Sequence, residues 1–129
     1  MICDTTFLVD FLQNNPAALK IAADIDSRGE QLATTAVSVF EIWQWVISVG
    51  DPAAHNKSGA FLDSLIVFHF DTESAKIGAT IHRRLKKLGQ TIESEDSMIA
   101  GICLNNHQKI LTRNVKHFSR IVEMQIEKY

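Results

Sequence analysis

Four oxygen-bearing side chains occupy positions where metal chemistry would need them. Asp4 closes an apolar run, Glu41 lies inside an apolar helix, Asp96 opens another helix, and Asn114 follows a later apolar run. Carboxylates and an amide oxygen are hard donors, suited to Mg²⁺ or Mn²⁺ and not to zinc. A divalent ion in such a set, left partly open to water, polarises a phosphodiester oxygen and generates hydroxide for in-line attack. Each residue also has an ordinary explanation. Asp4, beside Thr5 and Thr6, would cap the following helix. Glu41 completes Ser38-x-x-Glu41, a capping box weighed evenly against a metal role. Asp96 and its neighbour Glu95 complement a helix dipole. These explanations are independent of one another, so their convergence in a charge-poor core points to a site.

The elements that carry these residues decide whether they meet. Residues 1–4 read as a buried strand, followed by a helix through Phe7, Leu8, Phe11 and Leu12, with Asp10 on its outer surface. Asn14-Asn15-Pro16 breaks that helix, and 17–25 resume helical character. Residues 31–35 form a second strand and 36–49 a helix in which Glu41 is the only charge between Glu30 and Asp51. A helix apolar nearly all round is a buried helix, and a buried carboxylate needs a cation, a proton or a dense set of hydrogen bonds. Trp43 and Trp45 are two apart and cannot share a face, so one joins the core and the other meets a partner chain.

Residues 53–65 form a further helix, 66–70 a third strand and 71–88 an amphipathic helix striped by Ile77, Ile81, Leu85 and Leu88. Its other sides carry Arg83, Arg84, Lys86 and Lys87, the densest cationic cluster in the chain and the first candidate for phosphate or acidic-partner contacts. Ser94 is the expected cap of the helix holding Asp96. Residues 109–112 make a fourth strand, 114–120 a helical turn and 124–126 a closing edge strand. Strands separated by helices cannot pair as hairpins. The expected fold is therefore a three-layer α/β/α domain over 1–129 with a central, mostly parallel sheet of four to five strands. Right-handed crossovers bring the carboxyl ends of the strands, and with them the four oxygen donors, to one edge.

With 129 residues, 46% of them hydrophobic, the chain can bury one substantial core. A net charge of −2 and a pI near 6.2 argue against a nonspecific DNA coat but leave room for a local basic patch. Two cysteines are too few for a disulfide framework, five scattered histidines argue against structural zinc, and no apolar run is long enough to span a bilayer. A cytoplasmic protein is expected.

Taken together, ICDTTFLVDFL, TTAVSVFEIW, IESEDSMIAGICLNN and ILTRNVKHFSRI resemble the PIN-domain family, in particular the VapC-type ribonuclease toxins of toxin-antitoxin modules. The resemblance implies a Mg²⁺- or Mn²⁺-dependent endoribonuclease that dimerises and is inhibited by a cognate antitoxin inserting a segment into its active-site groove. It assigns the metal-site positions to Asp4, Glu41, Asp96 and Asn114, the last uncharged where many relatives have Asp. Thr6 and Thr112 match the family's small hydroxyl residues near the metal, and Arg113 joins the basic candidates for RNA or antitoxin contacts. A non-catalytic RNA- or partner-binding module on the same fold would instead have lost a donor. A phosphoacceptor signalling domain would want an acidic pair at the first strand and a late lysine.

Overall fold

Short apolar runs and side-chain caps partition the chain in the computed structural model, which describes residues 1–129. The strands are β1 (Ile2–Cys3), β2 (Ala33–Thr35), β3 (Ile66–Phe68), β4 (Ile110–Thr112) and β5 (Ile126–Lys128). The helices are α1 (Thr5–Leu12), α2 (Pro16–Ser27), α3 (Ala36–Val49), α4 (Pro52–Asp63), α5 (Thr72–Lys87), α6 (Ser94–Asn105) and α7 (Val115–Phe118). One sheet runs in the order β3-β2-β1-β4-β5, and all its pairings are parallel. The three-layer architecture is the one expected, with five strands. The closing strand is shifted towards the last residues of the chain.

Successive strand residues face opposite sides of the sheet, and the two cores follow from that alternation. Ile2, Ala33 and Ile110 point to a core shared with Ile81 and Leu85 of α5 and Ile99 and Ile102 of α6. Cys3 and Leu111 point the other way, to Phe7, Leu8, Ile25, Ile42, Val46 and Leu62 of α1–α4. Helices α5 and α6 pack backbone to backbone. A Cβ on Gly78 would lie 2.7 Å from the Ser97 carbonyl oxygen, and one on Gly101 would collide with the Ser74 carbonyl.

The sheet order reverses at β1, which pairs with β2 on one side and β4 on the other. In open parallel sheets such a reversal leaves a crevice beyond the strand ends, because the following segments depart in opposite directions. Asp4 follows β1 directly and Asn114 comes two residues after β4, so both flank that crevice.

Several local expectations change. Helix α3 is capped by Thr35, whose side chain accepts from the Ser38 amide, and Glu41 does not return to Ser38; the capping box does not form. Nor is α3 buried all round: Phe40 and Ile47, seven residues apart on one stripe, are 60% and 71% exposed. Periodicity reports apolarity and not what covers it. Trp43 packs at the edge of the core and Trp45 is exposed. Ser94 is the first residue of α6 and not its cap; Glu93 holds the cap position without a side-chain bond. Asp10, expected on the surface, is buried.

Candidate active site

Each acidic residue reaches the crevice from a different element. Asp4 sits between β1 and α1, and as the N-cap of α1 its Oδ1 accepts from the Phe7 amide at 2.9 Å. Thr6 donates to both Asp4 oxygens at 2.8 and 2.9 Å, and Thr112, at the end of β4, donates to Oδ2 at 2.5 Å. The carboxylate is thus oriented from one helix and one strand. Glu41 comes from the second turn of α3, and its Oε2 accepts from the Thr5 hydroxyl. Asp96 comes from the first turn of α6; its Oδ2 lies 2.7 Å from His117 Nδ1 and accepts from the Asn114 side-chain amide at 3.3 Å.

Asp4, Glu41 and Asp96 line one cleft of about 250 Å³ together with Thr5, Thr6, Val9 and Arg113. Burial pushes all three carboxyls above the ordinary carboxylate range. Against it work the bonds from Thr112, Phe7 and Thr6 at Asp4, from Thr5 at Glu41 and from His117 at Asp96. Their neighbours' negative charge raises them again: Asp96 acts on Asp4; Glu95, Asp96 and Asp4 act on Glu41; Glu93 and Glu95 act on Asp96. Glu95 itself is exposed.

No three His, Cys, Asp or Glu side chains are already drawn together as a finished ligand cluster. The chemistry of the donors nevertheless fits a hard divalent cation. Asp96 Oδ1 and Glu41 Oε1 accept no hydrogen bond from the protein, and neither is a buried unpaired atom, so both stay open to the cleft. Like charges confined in a half-buried cleft lower their energy by sharing a cation.

Asn114 behaves differently from expectation. It is absent from the cleft lining, and its amide nitrogen lies 2.9 Å from His117 Nδ1 and 3.3 Å from Asp96 Oδ2, so here it acts as a donor beside the carboxylate. Thr112 fixes it by accepting from the Asn114 backbone amide at 2.8 Å. Of the basic candidates, Arg113 lines the acid cleft, whereas Arg84 is engaged by Glu123 through both terminal nitrogens, at 2.6 and 2.7 Å. Arg83 and Lys86 line a neighbouring cleft of about 360 Å³ between α5 and the start of α6, where Ser94 and Ser97 bracket Asp96 in sequence; Lys87 is exposed.

Two contributors escaped the sequence. Thr5 stands in the sequence only as a neighbour of Asp4, and the approach of α3 gives it Glu41. His117 stands one helical turn after Asn114, a spacing at which side chains meet. That spacing was the available signal, and its pairing with Asp96 spans α6 and α7.

A PIN-domain family model matches residues 1–123. Ribonuclease VapC19 of Mycobacterium tuberculosis is 28% identical over 124 residues, 96% of each chain. Ribonuclease VapC1 of Methanocaldococcus jannaschii is 23% identical over 129 residues, covering all of this chain and 86% of the relative. Among solved structures, VapBC2 from Rickettsia felis, bound to a DNA fragment from its promoter, superposes with a TM-score of 0.86 at 18% identity over 99% of this chain and 97% of the other. DNA-bound VapBC from Salmonella typhimurium gives 0.85 at 22% identity over 98% and 96%. With a family model spanning nearly its full length and this fold beneath the acid cleft, the chain belongs to the PIN-domain family.

Proposed function

We propose that residues 1–129 form a single-domain, divalent-cation-dependent endoribonuclease, the VapC-type toxin of a toxin-antitoxin pair. The observation that carries the reading is the set of three carboxylates, from the β1–α1 junction, α3 and α6, lining one cleft with oxygens left open to it. The ribonuclease names of the VapC relatives supply the substrate class. Asp4, Glu41 and Asp96 would hold Mg²⁺ or Mn²⁺, which when bound supplies Lewis acidity towards a phosphodiester oxygen. Thr6 and Thr112 aim Asp4, Thr5 aims Glu41, and Asn114 with His117 aims Asp96. Arg113 at the acid cleft, and Arg83 and Lys86 in the cleft between α5 and the start of α6, offer positive charge to the RNA backbone.

The partner follows from the structural neighbours, which are VapBC complexes. A cognate antitoxin would cover the cleft, and the exposed Phe40–Ile47 stripe of α3 offers an apolar face to a partner or to a second copy of the chain. No helix is long and apolar enough to cross a membrane, and both cysteines are buried, with the Cys103 thiol pushed up to about 12 by burial. Inert thiols and an RNA substrate suit the cytoplasm.

The test is incubation of the purified protein with labelled RNAs in Mg²⁺, Mn²⁺ or EDTA, beside Asp96→Ala and Asp4→Asn. Cleavage by the parent protein that EDTA and both substitutions abolish is the expected result. Undiminished metal-dependent cleavage by a folded Asp96→Ala would sink the site.

A further inference from the structure

Asp10 is a carboxylate the acid cleft does not use, yet it is 95% shielded from solvent on an otherwise apolar stretch of α1. A charge buried that far is costly unless it is partnered, and two groups partner it. The Tyr129 hydroxyl donates to Oδ2 at 2.9 Å, and the Arg113 guanidinium lies 3.0 Å from the same oxygen. Tyr129 is itself fixed, packed edge-on against Phe7 with ring centroids 5.3 Å apart. Arg113 therefore springs from the loop after β4, is anchored to α1 and lines the acid cleft. It makes no other ion pair and no side-chain hydrogen bond, and 59% of its side chain stays exposed. A guanidinium presents five N–H donors in a planar fork, so most of them remain available over the cleft.

An acid cleft repels a phosphodiester on its own, and a cation held at its rim offsets that repulsion. A flexible surface arginine would lose side-chain entropy on binding; one already held by a buried carboxylate loses less. We propose that Asp10, anchored by Tyr129, is a positioning residue that holds the Arg113 guanidinium over the acid cleft as the fork that grips an RNA backbone phosphate. The assignment rests on the ribonuclease reading of that cleft.

The experiment measures kcat and KM on one RNA for the parent protein, Asp10→Asn, Arg113→Gln, Arg113→Lys and the Asp10→Asn/Arg113→Gln double variant, with RNA affinity across salt concentrations and a thermal melt for each. Arg113→Gln and Asp10→Asn should each raise KM about tenfold, the size of one charge-assisted contact. The double variant should be no worse than Arg113→Gln alone, because Asp10 acts only through Arg113. Arg113→Lys keeps the charge but not the fork and should restore only part of the affinity. The log-log salt slope of Arg113→Gln should fall by roughly 0.7, one phosphate contact on a single strand. Asp10→Asn that melts earlier but keeps the parent KM, or losses that multiply in the double variant, would overturn the proposal. Should Asp10→Asn fail to fold, Arg113→Gln decides alone, since an unchanged KM and slope refute it. A parent protein that cuts no RNA removes the ribonuclease reading as well; one that cuts while the variants match it removes only the role of Asp10 and Arg113.

Discussion

Replacing Thr112 by valine keeps the shape of the side chain and removes one hydroxyl that makes two bonds. That hydroxyl donates to Asp4 Oδ2 at 2.5 Å and accepts from the Asn114 backbone amide at 2.8 Å. Thr112 is fully buried and Asp4 nearly so, which leaves water little access to either lost partner. A hydrogen bond to a charged group contributes about 1.5–3 kcal/mol and one between neutral groups about 1 kcal/mol. Thr112→Val should therefore lower metal-free stability near neutral pH by about 2–4 kcal/mol. For a chain of this length that is a fall in Tm of roughly 8–15 °C.

The pH dependence makes this more than a packing test. Burial holds the Asp4 carboxyl above its ordinary value of 3.8, and the Thr112 bond is the largest influence opposing that rise. Without it the carboxyl rises further. A carboxyl raised on folding contributes stability below its unfolded value and loses it as pH climbs through the folded one. The gap between the two proteins should thus be small in acid, where Asp4 is protonated in both, and widen as pH rises towards neutrality. Urea denaturation in EDTA at a series of pH values from about 4 to 8 reads both effects. A gap that stays constant with pH would show that Thr112 does not stabilise the Asp4 charge, and would refute its place in aiming that carboxylate.

Two further substitutions test the cleft and the helix contact beneath it. Glu41 is also raised, by burial first and then by Glu95, Asp96 and Asp4, so its charge costs stability as pH rises through its folded-state value; Glu41→Gln should be at least as stable as the parent near pH 7.5 in EDTA and should flatten the pH profile. The same variant should lose most of the stabilisation that saturating Mn²⁺ gives the parent, about 2.7 kcal/mol at one hundred times Kd, measured by thermal melts with and without the ion. Gly101→Ala places a Cβ against the Ser74 carbonyl and 2.8 Å from the Gly78 amide nitrogen, neither of which moves without separating α5 from α6. It should cost about 1–3 kcal/mol in urea unfolding, and a neutral result would mean the two backbones are not in contact.

The parts of this molecule legible in the sequence are those governed by local chemistry. The span of α3 follows from its apolar run, closed by Gly50 at φ 68°; its Thr35 cap does not, since the sequence offers Ser38-x-x-Glu41 in its place. The parallel sheet follows from strands spaced by helices, and Asp4 is placed by its position after a two-residue strand. What was illegible depends on a partner remote in sequence. Asp10 reads as a surface residue until Tyr129, 119 residues away, closes over it. Glu41 reads equally as half of a capping box or as a metal-site residue until α1 brings Thr5 to it. His117 reads only as one of five scattered histidines until α6 turns Asp96 towards it. Each is a long-range pairing that no periodicity encodes.

The rivalry between cap and ligand at Asp4 dissolves once its lone pairs are counted. A carboxylate has about four acceptor sites. Phe7 takes one on Oδ1, Thr112 takes one on Oδ2, and the single Thr6 proton is shared between the two oxygens. Three donors thus make four contacts, two on each oxygen, and a site for a cation opens on one oxygen when the single Thr6 proton settles on the other. The Phe7 cap and the Thr112 bond do not compete with that site. They remove the rotational freedom that a cation would otherwise have to freeze, as Thr5 does for Glu41 and His117 for Asp96. In each of the three acids one oxygen or lone pair is held by the protein so that another can face the cleft. On the proposed reading, the residue that caps the helix and the residue that would bind a metal are the same residue, used on different lone pairs.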